Sequence, residues 1–345
     1  MFKGLPPVLV SFAITRRCNL KCPHCYSTSV ETPHPNELTT EEAKQLISEV
    51  AETGARMLIF DGGEPTMRED LFDLIKHTRD VGLRPLLGTN ATFITKKYAT
   101  KLKEAGIKQL AISLDGAKSE THDAFRGVRG TWQDTINGIR NCVEIGIPFQ
   151  IAPCLTRYNW TELPQIIELA RKLGASAIEI FDYVITGRGR DHLRYELDTE
   201  TRKKVTEQIV EMQRKDEELS YRVIALPQFW VMVEKTVPEE EVLLKFVRSC
   251  CGAGLRYACI LYEGTVYPCM VLQVKTGNVR EQSFKDIWYK SQVLNELRNR
   301  DLLKGKCGRC RYRLVCGGAR CKAYEKTGDY LAEDPACWFS EREIT

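Results

Sequence analysis

No apolar run in these 345 residues approaches the length needed to cross a bilayer. The opening MFKGLPPVLVSFAITRR has no small-residue cleavage signal, and its apolar residues read as a strand. Internal repeats and low-complexity tracts are missing as well, which excludes solenoids and long flexible linkers. A charge excess of one sign is also lacking. With 50 Lys+Arg against 46 Asp+Glu the net charge is only +4, and no basic run interleaved with aromatics occurs, so nucleic acid is not an expected partner. No C-x-x-C-H occurs, so covalent haem attachment is not indicated. The composition, 43% hydrophobic and 28% charged, is that of a soluble globular protein, and a cytoplasmic location without a membrane span is expected.

What the chain has in plenty is cysteine, 14 in all. A reducing cytosol argues against disulfides, and clustered thiols then mean metal. Cys18, Cys22 and Cys25 are spaced C-x3-C-x2-C just after a short apolar run. A cubane iron–sulfur cluster wants a thiolate for each of its four irons. Three close thiolates therefore leave one iron open to a small molecule, which suits reactivity. Structural zinc would pair cysteines as C-x2-C with a second pair or with histidines, and the lone triplet fits that poorly.

From residue 8 to about 218, short apolar runs alternate with amphipathic stretches. Strands are expected at 8–14, 56–60, 84–88, 109–114, 148–155 and 176–185, with helices near 40–53, 69–82, 95–105, 133–146, 161–173 and 199–218. Thr39 or Thr40, and Thr161 before Pro164, are the expected helix starts. Six β–α units imply an α/β fold with a parallel sheet, open or an incomplete barrel; the motifs favour a partial (β/α)6 TIM-like barrel. The expected divisions are 1–220, a bridging segment 221–249, and a cysteine-rich region 250–345. Cys250 to Cys337 holds nine cysteines with little periodicity, so metal rather than hydrophobic burial is expected to organise it. Cys142 and Cys154 are expected to be buried apolar thiols.

The triplet, followed by Tyr26 and by Asp61-Gly62-Gly63-Glu64-Pro65 after the second strand, resembles the radical S-adenosylmethionine superfamily. The resemblance implies a [4Fe-4S] cluster on Cys18, Cys22 and Cys25, with S-adenosylmethionine at the open iron. Its reductive cleavage yields a 5′-deoxyadenosyl radical that takes hydrogen from an unreactive C–H bond. Gly62, Gly63 and Glu64 would meet the methionine amine. Asn90 after the third strand, and Ser113 and Asp115 after the fourth, would contact ribose and methionine. Arg126, or Arg129, would pair with the methionine carboxylate.

Gly264 to Cys269, then Cys307-Gly-Arg-Cys310, Cys316 and Cys337, resemble the SPASM domain of many radical enzymes. The resemblance implies an auxiliary [4Fe-4S] cluster on Cys307, Cys310, Cys316 and Cys337. Cys251, Cys259, Cys269 and Cys321 offer a second set, with Cys250 a neighbour of uncertain role. Four residues separate Cys316 from Cys321 where the SPASM pattern has three, so one or two auxiliary clusters stay open. Zinc is the alternative there.

Gly277 to Phe284, with Ile287-Trp288 and the run 306–337 ending in Gly328-Asp-Tyr-Leu-Ala-Glu-Asp-Pro335, resembles radical enzymes that tailor tetrapyrrole side chains in haem and haem d1 biosynthesis. Their activity, removing acetates from an iron tetrapyrrole or oxidatively decarboxylating its propionates, is thereby expected, with a reductant such as ferredoxin or flavodoxin. Arg188 and Arg190, with His192 on the same loop after the sixth strand, would suit substrate carboxylates; His192, Tyr183 and Met270 would ligate iron or merely pack. The alternative is a maturase acting on a peptide or protein by thioether formation or crosslinking, or in sulfatase or tungsten-enzyme maturation. Such enzymes often carry a winged-helix domain ahead of the barrel, and a barrel beginning by residue 8 leaves no room for one.

Overall fold

The computed structural model describes residues 4–234 and 251–344. Cys250 and residues 235–249 of the expected bridge lie outside the described residues.

The six expected strand regions form parallel strands. They are β1 (Leu9–Thr15), β2 (Met57–Gly62), β3 (Arg84–Thr89), β4 (Gln109–Ile112), β5 (Phe149–Ile151) with β6 (Cys154–Leu155), and β7 (Ala177–Asp182). The fifth region splits because Ala152-Pro153 interrupts it, and a proline cannot donate to the ladder. β1 through β5 pair in order, and β5 then pairs with β7. A further strand, β8 (Ser220–Ile224), adds in parallel to β7 beyond the expected six.

Helices α1 (Thr40–Glu52), α2 (Leu71–Asp80), α3 (Lys96–Ala105), α5 (Thr131–Ile145), α6 (Leu163–Lys172) and α7 (Thr199–Lys215) fall where periodicity puts them. A short α4 (Ser119–Arg126) precedes α5 and was not expected. Thr39 and Glu42 form a reciprocal capping box at the start of α1. The start of α6 differs: Thr161 lies in a short 3-10 turn, and the helix opens on Leu163-Pro164 without a side-chain cap.

α1 buries Ala43, Leu46, Ile47 and Val50, one helical stripe facing the sheet. Each such Leu or Ile contributes about 1.5–3 kcal/mol. On the strands, Leu58, Phe60, Leu87, Leu110, Ile112, Ile178, Ile180, Tyr221 and Val223 enter this same core. Alternate residues therefore point to the other, inner face. Ile59, Asp61, Leu86, Gly88, Ala111, Glu179 and Phe181 stand there half-exposed. A barrel interior is ordinarily filled with bulky branched side chains. Here Gly88, Ala111 and the polar Asp61 and Glu179 share it with Ile59, Leu86 and Phe181.

The cysteine-rich region is not held by metal alone, contrary to expectation. β9 (Tyr257–Ile260) pairs in parallel with β1, and β10 (Thr265–Tyr267) and β11 (Gly277–Asn278) continue the sheet antiparallel. Ala258, Ile260, Val266, Phe284, Ile287, Trp288 and Leu294 belong to the barrel's own hydrophobic core. The Trp288 indole donates to the Leu5 carbonyl at 2.9 Å, and Tyr289 donates to that of Thr53. The periodicity was weak because these strands are two to four residues long.

Candidate active site and its iron–sulfur ligands

Cys18, Cys22 and Cys25 lie in the loop after β1, at the carboxyl ends of the parallel strands. Cys18 and Cys22 are buried around Leu20, with Cys25 and Val128 packed against them. Burial, then the nearby Glu64 carboxylate, pushes the Cys18 thiol up to about 12. Bare thiols so placed keep their protons, and iron is what would stabilise the thiolates. Among the described residues no three His, Cys, Asp or Glu side chains converge closely enough for a single ion. Thiolates of a cubane bind different irons and stand farther apart than the ligands of one zinc, so the donor set fits a cluster.

Gly62 and Gly63 are required by the backbone around them. Gly62 has φ +122°, and a Cβ on Gly63 would lie 2.1 Å from the Arg17 carbonyl oxygen. The Gly63 and Glu64 amides donate to the carbonyls of Thr15 and Arg17, each at 2.7 Å. The two glycines thus fasten the second loop to the backbone entering the cysteine loop. Glu64 is fully buried and accepts from the Thr66 amide and hydroxyl, the Thr89 hydroxyl and the Asn90 amide. One lone pair of Oε2 is left for a ligand. The Asn90 side chain donates to Asn19 Oδ1 at 2.9 Å and accepts from Thr92, joining the third loop to the cysteine loop.

Ser113 is half-buried at the end of β4, with its amide donating to the Thr89 carbonyl. Asp115 is fully buried. Its Oδ2 lies 2.5 Å from a guanidinium nitrogen of Arg126, and its Oδ1 accepts from the Cys154 amide at 2.8 Å. Another Arg126 nitrogen donates to the Cys22 sulfur at 3.8 Å. Arg126 and Asp115 therefore offset each other's charge, and Arg126 also braces a cysteine. Arg129 is exposed. Cys142 is a buried apolar thiol as expected, whereas Cys154 is half-exposed, near the charged groups of Asp115, Arg126, Asp182 and Lys322.

The loop after β7 departs most from expectation. The Arg188 side chain donates to the carbonyls of Cys22 at 3.0 Å and Ser29 at 2.5 Å, and its amide to that of Cys25. A Cβ on Gly187 would lie 2.4 Å from the Cys25 oxygen. This loop clamps the cysteine loop; its first guanidinium is already committed. Arg190 pairs with Glu325 at 2.9 Å. His192 stacks on Tyr195, and the Tyr183 hydroxyl donates to the Gly189 carbonyl.

In the carboxyl region, Cys307, Cys310, Cys316 and Cys337 line one small cavity. Cys251, Cys269 and Cys321 share a separate packed cluster, and Cys259 lies within electrostatic reach of Cys269. The first expected set is thus gathered whole, and three cysteines of the second lie together with Cys259 nearby.

Sequence reasoning missed what holds them. Arg320 is fully buried, donating to the carbonyls of Tyr330 and Ala332 and to the Cys307 sulfur at 3.4 Å. Asp334 accepts from Gln228, the Ala319 amide and the Ala336 amide. The stretch 328–335 thereby frames the cavity. Asn19, and Tyr26, whose hydroxyl donates to Asp61 at 2.7 Å, were likewise given no role. Their signal was adjacency to motif cysteines.

A triplet at the mouth of an open barrel, backed by further gathered cysteines, defines a class: iron–sulfur enzymes of radical chemistry. Residues 12–170 match the radical SAM superfamily, and residues 250–311 match SPASM, an iron–sulfur cluster-binding domain. The AdoMet-dependent heme synthase of Methanosarcina barkeri is 38% identical over 96% of both chains. The Fe-coproporphyrin III synthase of the same organism is 34% identical, over 99% of this chain and 90% of that one. A PqqA peptide cyclase of Bradyrhizobium diazoefficiens is 32% identical, over 97% and 87%. SuiB of Streptococcus suis, solved with S-adenosylmethionine, has the same fold, with a TM-score of 0.76 at 18% identity over 97% of this chain and 78% of that one.

The chain belongs to the radical SAM superfamily, in its SPASM-bearing branch alongside the heme synthases. A [4Fe-4S] cluster and S-adenosylmethionine are accordingly its cofactors, with auxiliary iron–sulfur in the SPASM region.

Proposed function

We propose that this chain is a radical S-adenosylmethionine enzyme that converts propionate side chains of an iron tetrapyrrole by oxidative decarboxylation, completing haem. The observation that carries this reading is the 38% identity to an AdoMet-dependent heme synthase along almost the whole of both chains. The half-exposed inner face of the barrel, with small residues at Gly88 and Ala111, supports a substrate lying against it.

In this reading Cys18, Cys22 and Cys25 hold the reactive cluster. The cluster and S-adenosylmethionine together supply, when bound, a carbon radical able to take hydrogen from an unreactive C–H bond. The rest is positioning. Arg126 and Arg188 brace the cysteine loop, Gly62 and Gly63 bring Glu64 to it, and the free lone pair of Glu64 accepts from the methionine ammonium. Asn90 and Ser113 flank the same mouth. The two gathered cysteine sets each hold an auxiliary cluster, suited to accepting the electron that decarboxylation leaves behind. A one-electron donor such as ferredoxin or flavodoxin would serve the reactive cluster. Cysteines clustered for iron–sulfur rather than paired as disulfides support a cytoplasmic location; among the described residues no helix is long and apolar enough to cross a membrane.

The test is an anaerobic assay of the reconstituted, reduced protein with S-adenosylmethionine and iron tetrapyrroles bearing acetates or propionates, followed by mass spectrometry. Loss of carboxyl mass from propionates, with haem appearing, is expected. Loss of acetates would move the assignment to the neighbouring tailoring reaction. Cofactor cleavage with every macrocycle unchanged would favour a peptide substrate, the second reading raised by the likeness to a peptide cyclase.

A further inference from the structure

Arg188 and Arg190, the cations expected to meet a substrate carboxylate, are engaged by the cysteine loop and by Glu325. The inner face of the sheet supplies another. Arg222 is the third residue of β8 and lies beside Glu179 of β7 in parallel register. Tyr221 and Val223, on either side of it, enter the helix-packed core, so Arg222 shares the inner face with Glu179, Gln150, Ala111 and Asp61. Strand residues 84 to 89 place Arg84 on that face too, but at the first position of β3, at the opposite end from the cysteines.

The Arg222 environment suits anion binding at one edge. A guanidinium nitrogen donates to Gln150 Oε1 at 3.3 Å, and the Gln150 amide donates in turn to Glu179 Oε2 at 2.8 Å. This chain orients the guanidinium, and among the described residues no carboxylate lies within 4.0 Å of it, although Glu179 across the register attracts its charge. Arg222 is exposed although it faces inward, and among the described residues β8 pairs only with β7. Three further cations are paired: Arg202 and the buried Lys322 both bind Asp182, and Arg126 binds Asp115. The two carboxyls of the inner face are also engaged, Asp61 by Tyr26 and Glu179 by Gln150.

We infer that Arg222 anchors a carboxylate of the substrate at the open edge of the barrel, fixing the macrocycle with one side chain on β8 and its reacting side chain toward the cysteine loop. This rests on the tetrapyrrole reading and names the residue that recognises its carboxylate. A guanidinium offers two parallel donors to one carboxylate, and the bond is charge-assisted.

The experiment titrates the reconstituted protein, by its absorbance change, with iron coproporphyrin III and separately with its tetramethyl ester, in wild type, Arg222→Ala and Arg222→Lys. Binding of the acid by Arg222→Ala is expected to weaken about ten- to a hundredfold. The ester should bind wild type and Arg222→Ala within about twofold of each other, and Arg222→Lys should recover part of the acid affinity. Iron content and thermal midpoint check that the variants are folded. Unchanged acid affinity in Arg222→Ala, or an equal loss for acid and ester, would overturn the anchor while leaving the tetrapyrrole reading intact. A wild type that binds neither macrocycle would overturn the tetrapyrrole reading first, and the anchor with it.

Discussion

The guanidinium of Arg126 lies 2.5 Å from the carboxylate of Asp115, with the acid completely buried and the base nearly so, while a second nitrogen of Arg126 reaches the sulfur of Cys22. The pair ties α4 to the end of β4 and to the cysteine loop at once. Removing one partner of such a buried pair leaves an uncompensated charge. Arg126→Met should therefore cost about 3–5 kcal/mol, read as a lower urea midpoint under anaerobic conditions. Pairing it with Asp115→Asn should return part of the loss, and a midpoint equal to wild type in Arg126→Met would contradict the brace.

Gly63→Ala tests whether the glycine pair serves the loop or the ligand. The added methyl meets the Arg17 backbone, which has no flexible end to move aside. Overpacking of this kind typically costs about 1–3 kcal/mol. The expected result is poor cluster retention, seen as lower iron per chain after reconstitution. Normal iron content with weakened S-adenosylmethionine binding would instead assign the glycine to the ligand.

Arg188→Ala separates two roles in a similar way. The side chain holds the carbonyls of Cys22 and Ser29, so its loss should lower iron content and thermal midpoint together. Affinity of the remaining loaded protein for an iron tetrapyrrole should change less than about threefold, since no charge-assisted bond to substrate is lost. A large affinity loss at full iron content would restore this residue to the substrate.

Glu42 on α1 accepts from Arg280 at 2.8 and 3.0 Å, joining barrel and cysteine-rich region at the surface. The Arg280 hydrogen bond, then that of the Thr39 amide, lowers the Glu42 carboxyl from 4.5 to about 2. A lowered folded-state value means stability that is present above 4.5 and lost as pH falls toward 2. Both side chains are over a third exposed, so solvent screening limits the contribution to about 1 kcal/mol or less. Glu42→Gln should lower the urea midpoint slightly at pH 7, by the equivalent of about 1 kcal/mol or less, and converge on wild type as pH falls toward 2.

Much of the barrel was legible because its signals are local. β1, β2 and β3 fall within one or two residues of their apolar runs, and α1 carries its own capping box. The cysteine sets were legible for a related reason: thiols at short spacing have few uses other than metal. β8 and the short β9 to β11 were not, since strands of two to five residues carry almost no periodicity and owe their place to pairing partners far away in sequence.

The roles of the polar residues divide along the same line. A glycine pair, an asparagine and an arginine beside a motif look like ligand contacts when only their neighbours in the chain are known. Whether Arg188 faces a substrate or clamps a loop depends on Cys22, 166 residues away, and Arg126 meets a cysteine 104 residues back. By itself the sequence determined the class of chemistry, the parallel α/β plan and the partition of cysteines, because these follow from short-range pattern and from what thiols bind. Only the tertiary structure decided which charges are spent on one another and which stay free. A charge is neutralised by whatever the fold brings within a few ångströms, and that distance is not written in the order of residues.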